Sequence, residues 1–291
     1  MDLPAVTSQQ PPGFASPWLH EEVARRMEAR LQWLVQKPPS WAHWEPVRGG
    51  WNAQALLQTR YPQALSYLVE PNLQHAALLG RALKSPWWNL LKLGVAKAQV
   101  AYPEQPVGML WANMALHHAA DPQALIGQWL GLLEVDGFLM FSCLGPETLR
   151  EMRAVYAAQG WPPSSHAFTD MHDWGDMLVE AGFAEPVMDM ERITLSFSTP
   201  QSLLAEMRTL GRNLSLARFS GLRTPAWRAA LHEALRQGLA DPADDDRLKL
   251  SFEVIYGHAF KPAPRFVAKP QTHIDLESLR RAAKGTRREP I

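Results

Sequence analysis

The chain has a single cysteine, Cys143, in 291 residues. No disulfide can close within it, and a solitary thiol suits a reducing compartment. Neither sign of charge is in excess: 29 Lys and Arg balance 29 Asp and Glu. That balance removes the electrostatic footprint of a broad nucleic-acid binder. No run approaches the ~20 uninterrupted apolar residues of a membrane-spanning helix. The opening MDLPAVTSQQPPGF has neither the basic nor the apolar region of a secretion signal. These absences predict a cytoplasmic protein without nucleic-acid or membrane partners. What remains is length enough to bury a large core, either as one domain or as one domain with an inserted cap. Tryptophan is abundant, with 12 residues, and those at positions 41, 44, 51, 87 and 88 are expected to rim a pocket.

One stretch organises the rest. Residues 107–111 form a short apolar run with β propensity. Residues 122–133 carry Leu125, Ile126, Trp129, Leu130, Leu132 and Leu133 at helical spacing, with Asp121 as N-cap and Pro122 at the first helical position. Asp136-Gly137 is a turn dipeptide, and residues 138–142 are a second buried run. Two buried strands joined by one helix make a βαβ crossover, so the sheet is predicted to be parallel, with its site at the carboxyl ends of the strands.

The same stretch, WANMALHHAADPQALIGQWLGLLEVDGFLMFSCLGPETLREMR, resembles the fourth- and fifth-strand region of class I S-adenosylmethionine-dependent methyltransferases. More narrowly, it is similar to the malonyl carrier-protein O-methyltransferases of biotin synthesis. Those proteins have an (S/A)N(L/M)A-type segment, a helix that opens with Asp and reaches Ala-Leu, and an LGPxTLRELR-like continuation. The resemblance resumes in HAFTDMHDWGDMLVEAGFAEPVMDMERITLSF, ends in LKLSFEVIYGHAFKP, and covers most of residues 18–262. It implies an α/β, Rossmann-like fold: a mostly parallel seven-stranded sheet with an antiparallel edge, an N-terminal helix and a helical cap. The expected divisions are a flexible arm over 1–17, the methyltransferase domain over 18–262 with its cap at about 200–247, and a basic, disordered tail over 263–291.

On the cofactor side the family's G-x-G-x-G loop is reduced to EPVRGG. Only Gly49 and Gly50 remain to let the backbone approach S-adenosylmethionine. Glu45 is placed to receive its ammonium group and Arg48 its carboxylate; the competing expectation is a loop that no longer binds the donor. Trp44 and Trp51 are candidates to rebuild the pocket, and Trp18 to replace a lid tyrosine. Glu70, at the end of the second predicted strand (65–69), matches the acid that accepts both ribose hydroxyls. The family's adenine-side aspartate has no counterpart in VAKAQVAYPEQP.

On the substrate side the resemblance gives Asn113 to the methyl-transfer channel, where it also meets the cofactor, and turns His117 towards the substrate. An Asn turn and a half-buried His118 are the plain structural alternatives. Cys143 is expected to pack. His166, Asp170, His172 and Asp173 lie close in sequence, but helix initiation at Asp170 explains them without a metal. The cap carries Arg208, Arg212, Arg218, Arg223 and Arg228. Arginine forks suit a carboxylate substrate and an acidic carrier protein, and Arg208 or Arg212 is expected to hold the substrate.

The implied reaction transfers a methyl group to the free carboxylate of a malonyl thioester on acyl carrier protein. Two other functions stay open at this point. One is a non-catalytic methyltransferase fold that binds a carrier protein or an enzyme partner. The other is a methyltransferase for a different small acid.

Overall fold

The computed structural model describes residues 16–83, 98–264 and Glu277. Trp87, Trp88, most of the expected arm and nearly all of the expected tail lie outside the described residues.

Among the described residues eight strands form one sheet: β1 (Ser40–Trp44), β2 (Leu65–Val69), β3 (Ala98–Gln99), β4 (Val107–Ala112), β5 (Leu133–Leu144), β6 (Ala184–Phe197), β7 (Ala240–Asp241) and β8 (Arg247–Phe260). The order is β3-β2-β1-β4-β5-β8-β6, and the two-residue β7 pairs with β8 outside this path. Strands β1 to β5 pair in parallel. β8 runs antiparallel between β5 and β6. Both predicted late strands therefore finish the sheet together, and the order reverses at β1/β4, the switch point where open α/β sheets bind ligands.

Nine helices surround the sheet: α1 (Trp18–Arg30), α2 (Pro46–Gly49), α3 (Asn52–Arg60), α4 (Leu73–Leu83), α5 (Pro122–Leu132), α6 (Arg150–Ala158), α7 (Met171–Ala181), α8 (Pro200–Leu210) and α9 (Pro225–Leu239), counted among the described residues. Every residue of β4 is buried, because both faces are covered, as a parallel sheet requires. Met109 and Trp111 join Leu19, Val23 and Met27 of α1 in one core layer. Leu110 and Ala112 join Ile126 and Trp129 of α5 and Trp174 and Leu178 of α7 in the other. Asp121 accepts from the Ala124 N–H at 2.9 Å, capping α5. Asp170 accepts from the His172 N–H at 2.8 Å and starts α7. Asp136-Gly137 does not separate a helix from a strand as the dipeptide suggests. It is a kink within β5, with Asp136 at φ 63° beside a register irregularity between Val107 and Met109.

Residues between β6 and β8 form the cap. Thr199 and Thr224 accept from Ser202 and Trp227 to start α8 and α9, and each helix has proline in its first turn. Leu203, Leu231 and Leu235 anchor the cap in the α1-side core.

Candidate active site

Three chain reversals at the carboxyl edge of the sheet build the site. After β1, Glu45 is left-handed (φ 48°), and Gly50 (φ 111°) turns the chain into α3. Between them α2 is a single helical turn, so the loop is compact. A Cβ on Gly49 would lie 2.7 Å from the Asn113 carbonyl oxygen, and one on Gly50 would lie 3.3 Å from both Glu21 Oε2 and the His20 carbonyl oxygen. Both glycines thus admit protein backbone and α1 to close approach.

Asn113, just beyond β4, is fully buried. Its Nδ2 donates to the His20 carbonyl at 2.8 Å and also to the Gly49 carbonyl. Its Oδ1 accepts from Ser142 Oγ at 2.6 Å. One side chain therefore ties α1, the β1–α3 loop and β5 together.

Glu70 ends β2. Its Oε1 accepts from the Asn72 N–H at 3.1 Å and stands 3.7 Å from His75 Nδ1. Oε2 is buried without a hydrogen-bond partner among the described residues. Burial, with help from the nearby Glu45 charge and against the Asn72 N–H, raises the Glu70 pKa to about 7. Burial also raises the pKa of Glu45, opposed by Arg48. The Arg48 guanidinium is held below its ordinary value by burial, with Glu45 and Glu70 pulling it back up. These three groups form one electrostatic cluster across the ends of β1 and β2.

Histidines line the other side of Arg48. His20 Nδ1 donates to the Arg48 carbonyl at 2.7 Å. His117 and His118 stack with ring centroids 4.1 Å apart. Burial brings His20 to a pKa of about 4 and His118 to about 3, and holds His117 well below the usual value. All three are neutral at neutral pH. His117 Nδ1 accepts from the Leu144 N–H at 3.3 Å, so its proton sits on Nε2.

Beside this cluster a cavity of about 660 Å³ opens between the sheet edge, α6 and the cap. Leu149, Met152, Tyr156, Met207, Trp227 and Phe252 supply its apolar wall, and Arg208, Arg212, Arg223 and Arg228 its cationic groups. The expected Arg208 and Arg212 are both present. Of the histidine pair, His118 lines this cavity, while His117, bonded to the Leu144 N–H, borders a second cavity of about 300 Å³ with His166, Phe168 and Trp174. Asn113, Glu45, Gly49, Gly50 and Glu70 do not line the larger cavity.

The tryptophans behave differently from expectation. Trp41 and Trp44 are buried in the two core layers, Trp44 edge-on to Trp129 with centroids 6.0 Å apart. Trp51 packs on Val47, Leu68 and Leu79. None of the three borders the cavity, where Trp227 does. Trp18 packs on the α1-side core. Sequence reasoning also missed the Arg48–cap contact: a Cβ on Gly211 would lie 2.9 Å from His118 Cε1 and 3.3 Å from Arg48 Nη2. The one available signal was a glycine directly after an amphipathic helix. Cys143 is fully buried in the α5-side core, and burial pushes its thiol up; it is packing.

The chain is 35% identical to the malonyl-(acyl-carrier protein) O-methyltransferase of Gallionella capsiferriformans, over 86% of this chain and 87% of that one. It is 35% identical to the enzyme of that name from Laribacter hongkongensis, covering 88% and 86%, and 34% to that of Nitrosospira multiformis, covering 89% of each. No family model matches the chain. Among solved structures, a candidate methyltransferase from Bacillus halodurans superposes with a TM-score of 0.53 at 16% identity, over 81% of this chain and 99% of that one. The YcgJ protein of Bacillus subtilis gives 0.53 at 12% identity, over 84% and 99%. These two share the fold.

Proposed function

Because the chain belongs to the malonyl-(acyl-carrier protein) O-methyltransferase family, we infer that it methylates the free carboxylate of a malonyl thioester held on acyl carrier protein, with S-adenosylmethionine as methyl donor. The step serves biotin precursor synthesis, and we place it in the cytoplasm. Among the described residues no helix is long and apolar enough to cross a membrane.

The observation that carries this reading is the cavity: an apolar chamber at the carboxyl edge of the sheet, closed by a cap that contributes four arginines. An acyl thioester arm needs the apolar wall, and an anionic acceptor needs the arginines. A malonyl carboxylate is already ionised at neutral pH, so no general base is required. The protein's task is to orient the carboxylate and remove water from it. Arg208 or Arg212 would hold the carboxylate, and neutral His118 offers it no competing charge.

The donor's ribose fits the end of β2, where Glu70 keeps one buried carboxylate oxygen without a partner. Its amino-acid end would meet Glu45 and Arg48, whose opposite charges suit an ammonium and a carboxylate. Asn113 would act by fixing this loop against α1, with Gly49 and Gly50 allowing the close packing. The donor supplies the electrophilic methyl group; each residue here binds or orients.

A second reading, a non-catalytic protein that binds the carrier on an inherited fold, draws support from that same loop, whose glycines already receive protein groups. One experiment separates the two. The protein is incubated with malonyl carrier protein and S-adenosylmethionine, and the carrier is analysed by mass spectrometry. Methyl ester formation that disappears without donor supports the enzyme. Intact malonyl carrier, together with no calorimetric binding of S-adenosylhomocysteine, leaves the binding protein.

A further inference from the structure

The connector between α8 and α9, residues 211–224, has no regular secondary structure, a length at which loops are usually functional. It holds large apolar side chains in water. Leu216 is 99% exposed and Leu222 97%, with Leu214 and Phe219 about half exposed at 47% and 46%. Exposed leucines scattered singly are ordinary, but four large apolar groups within one loop make a patch.

The loop is nonetheless built. Asn213 Nδ2 donates to the Pro163 carbonyl at 2.8 Å, and Asn213 Oδ1 accepts from the Ser215 N–H at 2.9 Å. Arg218 Nη1 donates to the Ser215 carbonyl at 2.9 Å. The Arg223 guanidinium lies 3.7 Å over the Phe219 ring and 4.0 Å over that of Trp227. Local bonds set the loop's shape, so the leucines are presented rather than left over.

Charge identifies what they are presented to. Residues 207–232 contain five arginines and no Asp or Glu. Four of these arginines also border the cavity, and Arg218 does not. The patch is therefore apolar, purely cationic and continuous with the cavity mouth through Arg212 and Arg223. Exposed apolar groups among arginines, with Asp and Glu absent, match the composition of a protein interface, where arginine is enriched and acidic residues are depleted.

We propose that the 211–224 loop is the docking surface for the carrier protein, as an acidic partner: Leu216 and Leu222 pack on its apolar surface while Arg218 meets its carboxylates. This rests on the carrier-protein reading above and adds where the carrier sits. A tethered acyl group reaches the cavity only if its carrier docks within one arm's length of it, and both ends of this loop line that cavity.

The test uses the full chain as wild type, as Leu216→Ser/Leu222→Ser and as Arg218→Glu. Each is titrated calorimetrically with holo carrier protein, then assayed for methyl transfer to malonyl carrier protein and to the small substrate malonyl-pantetheine. Carrier affinity is expected to fall about tenfold or more in both variants. KM for malonyl carrier protein should rise in step, with kcat and the malonyl-pantetheine kinetics unchanged. Wild-type affinity in both variants overturns the proposal, and so does an equal loss on both substrates, which would mean a damaged cap. A change from dimer to monomer by light scattering in the leucine variant also overturns it, since the patch would then belong to a second copy. If wild type binds the carrier and the variants do not, yet no methyl ester forms, docking stands and the enzymatic reading falls.

Discussion

Asn113 and Gly49 hold each other from two directions. The Asn113 side-chain amide donates to the Gly49 carbonyl, while the Asn113 backbone carbonyl occupies the space where a Gly49 side chain would start, 2.7 Å from that Cβ position. The end of β4 and the loop after β1 are thereby one packed unit. The same amide reaches the His20 carbonyl, so α1 is fixed to that unit as well.

Gly49→Ala consequently forces two backbone segments apart, and no flexible side chain can absorb the contact. Overpacking of this kind costs about 1 to 3 kcal/mol, and the movement would carry Glu45 and Arg48 with it. Chemical denaturation should register that loss, with a weaker titration of S-adenosylhomocysteine. Gly80→Ala is the matched control: it lies within α4, and a Cβ there meets nothing within 4 Å. Helix propensity alone predicts a gain of up to about 1 kcal/mol. Equal effects at the two sites would show that the Asn113 contact is not decisive.

Arg48 carries the second prediction. Its charge is half-buried against Glu45, Glu70 and the neutral His118, so it offsets the two carboxylates that share its burial. Arg48→Met leaves the buried Glu45 and Glu70 without their cation, so the denaturation midpoint should fall above pH 7, while S-adenosylhomocysteine binds at least about tenfold more weakly, or about 1.4 kcal/mol. Unchanged affinity would remove Arg48 from the donor site. A collapse in stability with intact affinity would make it a structural cation.

Much of this was legible in the chain. The α5 boundaries, the Asp121 and Asp170 caps, β2 and the two late strands follow from periodicity and capping, which are local. The cap arginines were legible because the resemblance placed them. Which cavity each of His117 and His118 borders was not, since one backbone N–H at Leu144, distant in sequence, holds the His117 ring. Trp41 and Trp44 were misread for a similar reason: spacing cannot tell a core layer from a pocket rim when both faces of a strand are covered. The reach of Arg48 to Gly211 depends on how the cap folds back, and no local pattern encodes that.

Buried neutral histidines set the acid limit of the fold. His20 and His43 are fully buried, each with a pKa of about 4, and His43 Nδ1 is held 3.1 Å from Gln54 Oε1. A base whose folded pKa is depressed stays neutral in the fold while the unfolded chain takes up the proton below about 6.5. Their stabilising contribution is complete above that pH and is lost as pH falls towards 4, by roughly 1.4 kcal/mol per unit for each ring. Urea midpoints should therefore drop between pH 7 and pH 5. A flat profile across that window would show that the rings are hydrated or already charged.

Glu70 works with the opposite sign. An acid whose folded pKa is raised from its usual value to about 7 keeps its proton in the fold while the unfolded chain has lost it, so its contribution to stability declines as pH rises from about 4.5 and is least favourable above 7. Accepting two ribose hydroxyls requires the charged form. Ligand affinity should then increase as pH rises through 7 and level off above it, with S-adenosylhomocysteine binding about tenfold more weakly at pH 6 than at pH 8. Binding at pH 7 should also release protons, which titrations in buffers of different ionisation enthalpy detect directly. Glu70→Gln removes the titrating group: its binding should be weak and independent of pH, and its denaturation midpoint at pH 8 should exceed that of the wild type. A wild-type affinity that does not change between pH 6 and pH 8, with no proton release, would take Glu70 out of the donor site and leave it a buried acid at the end of β2.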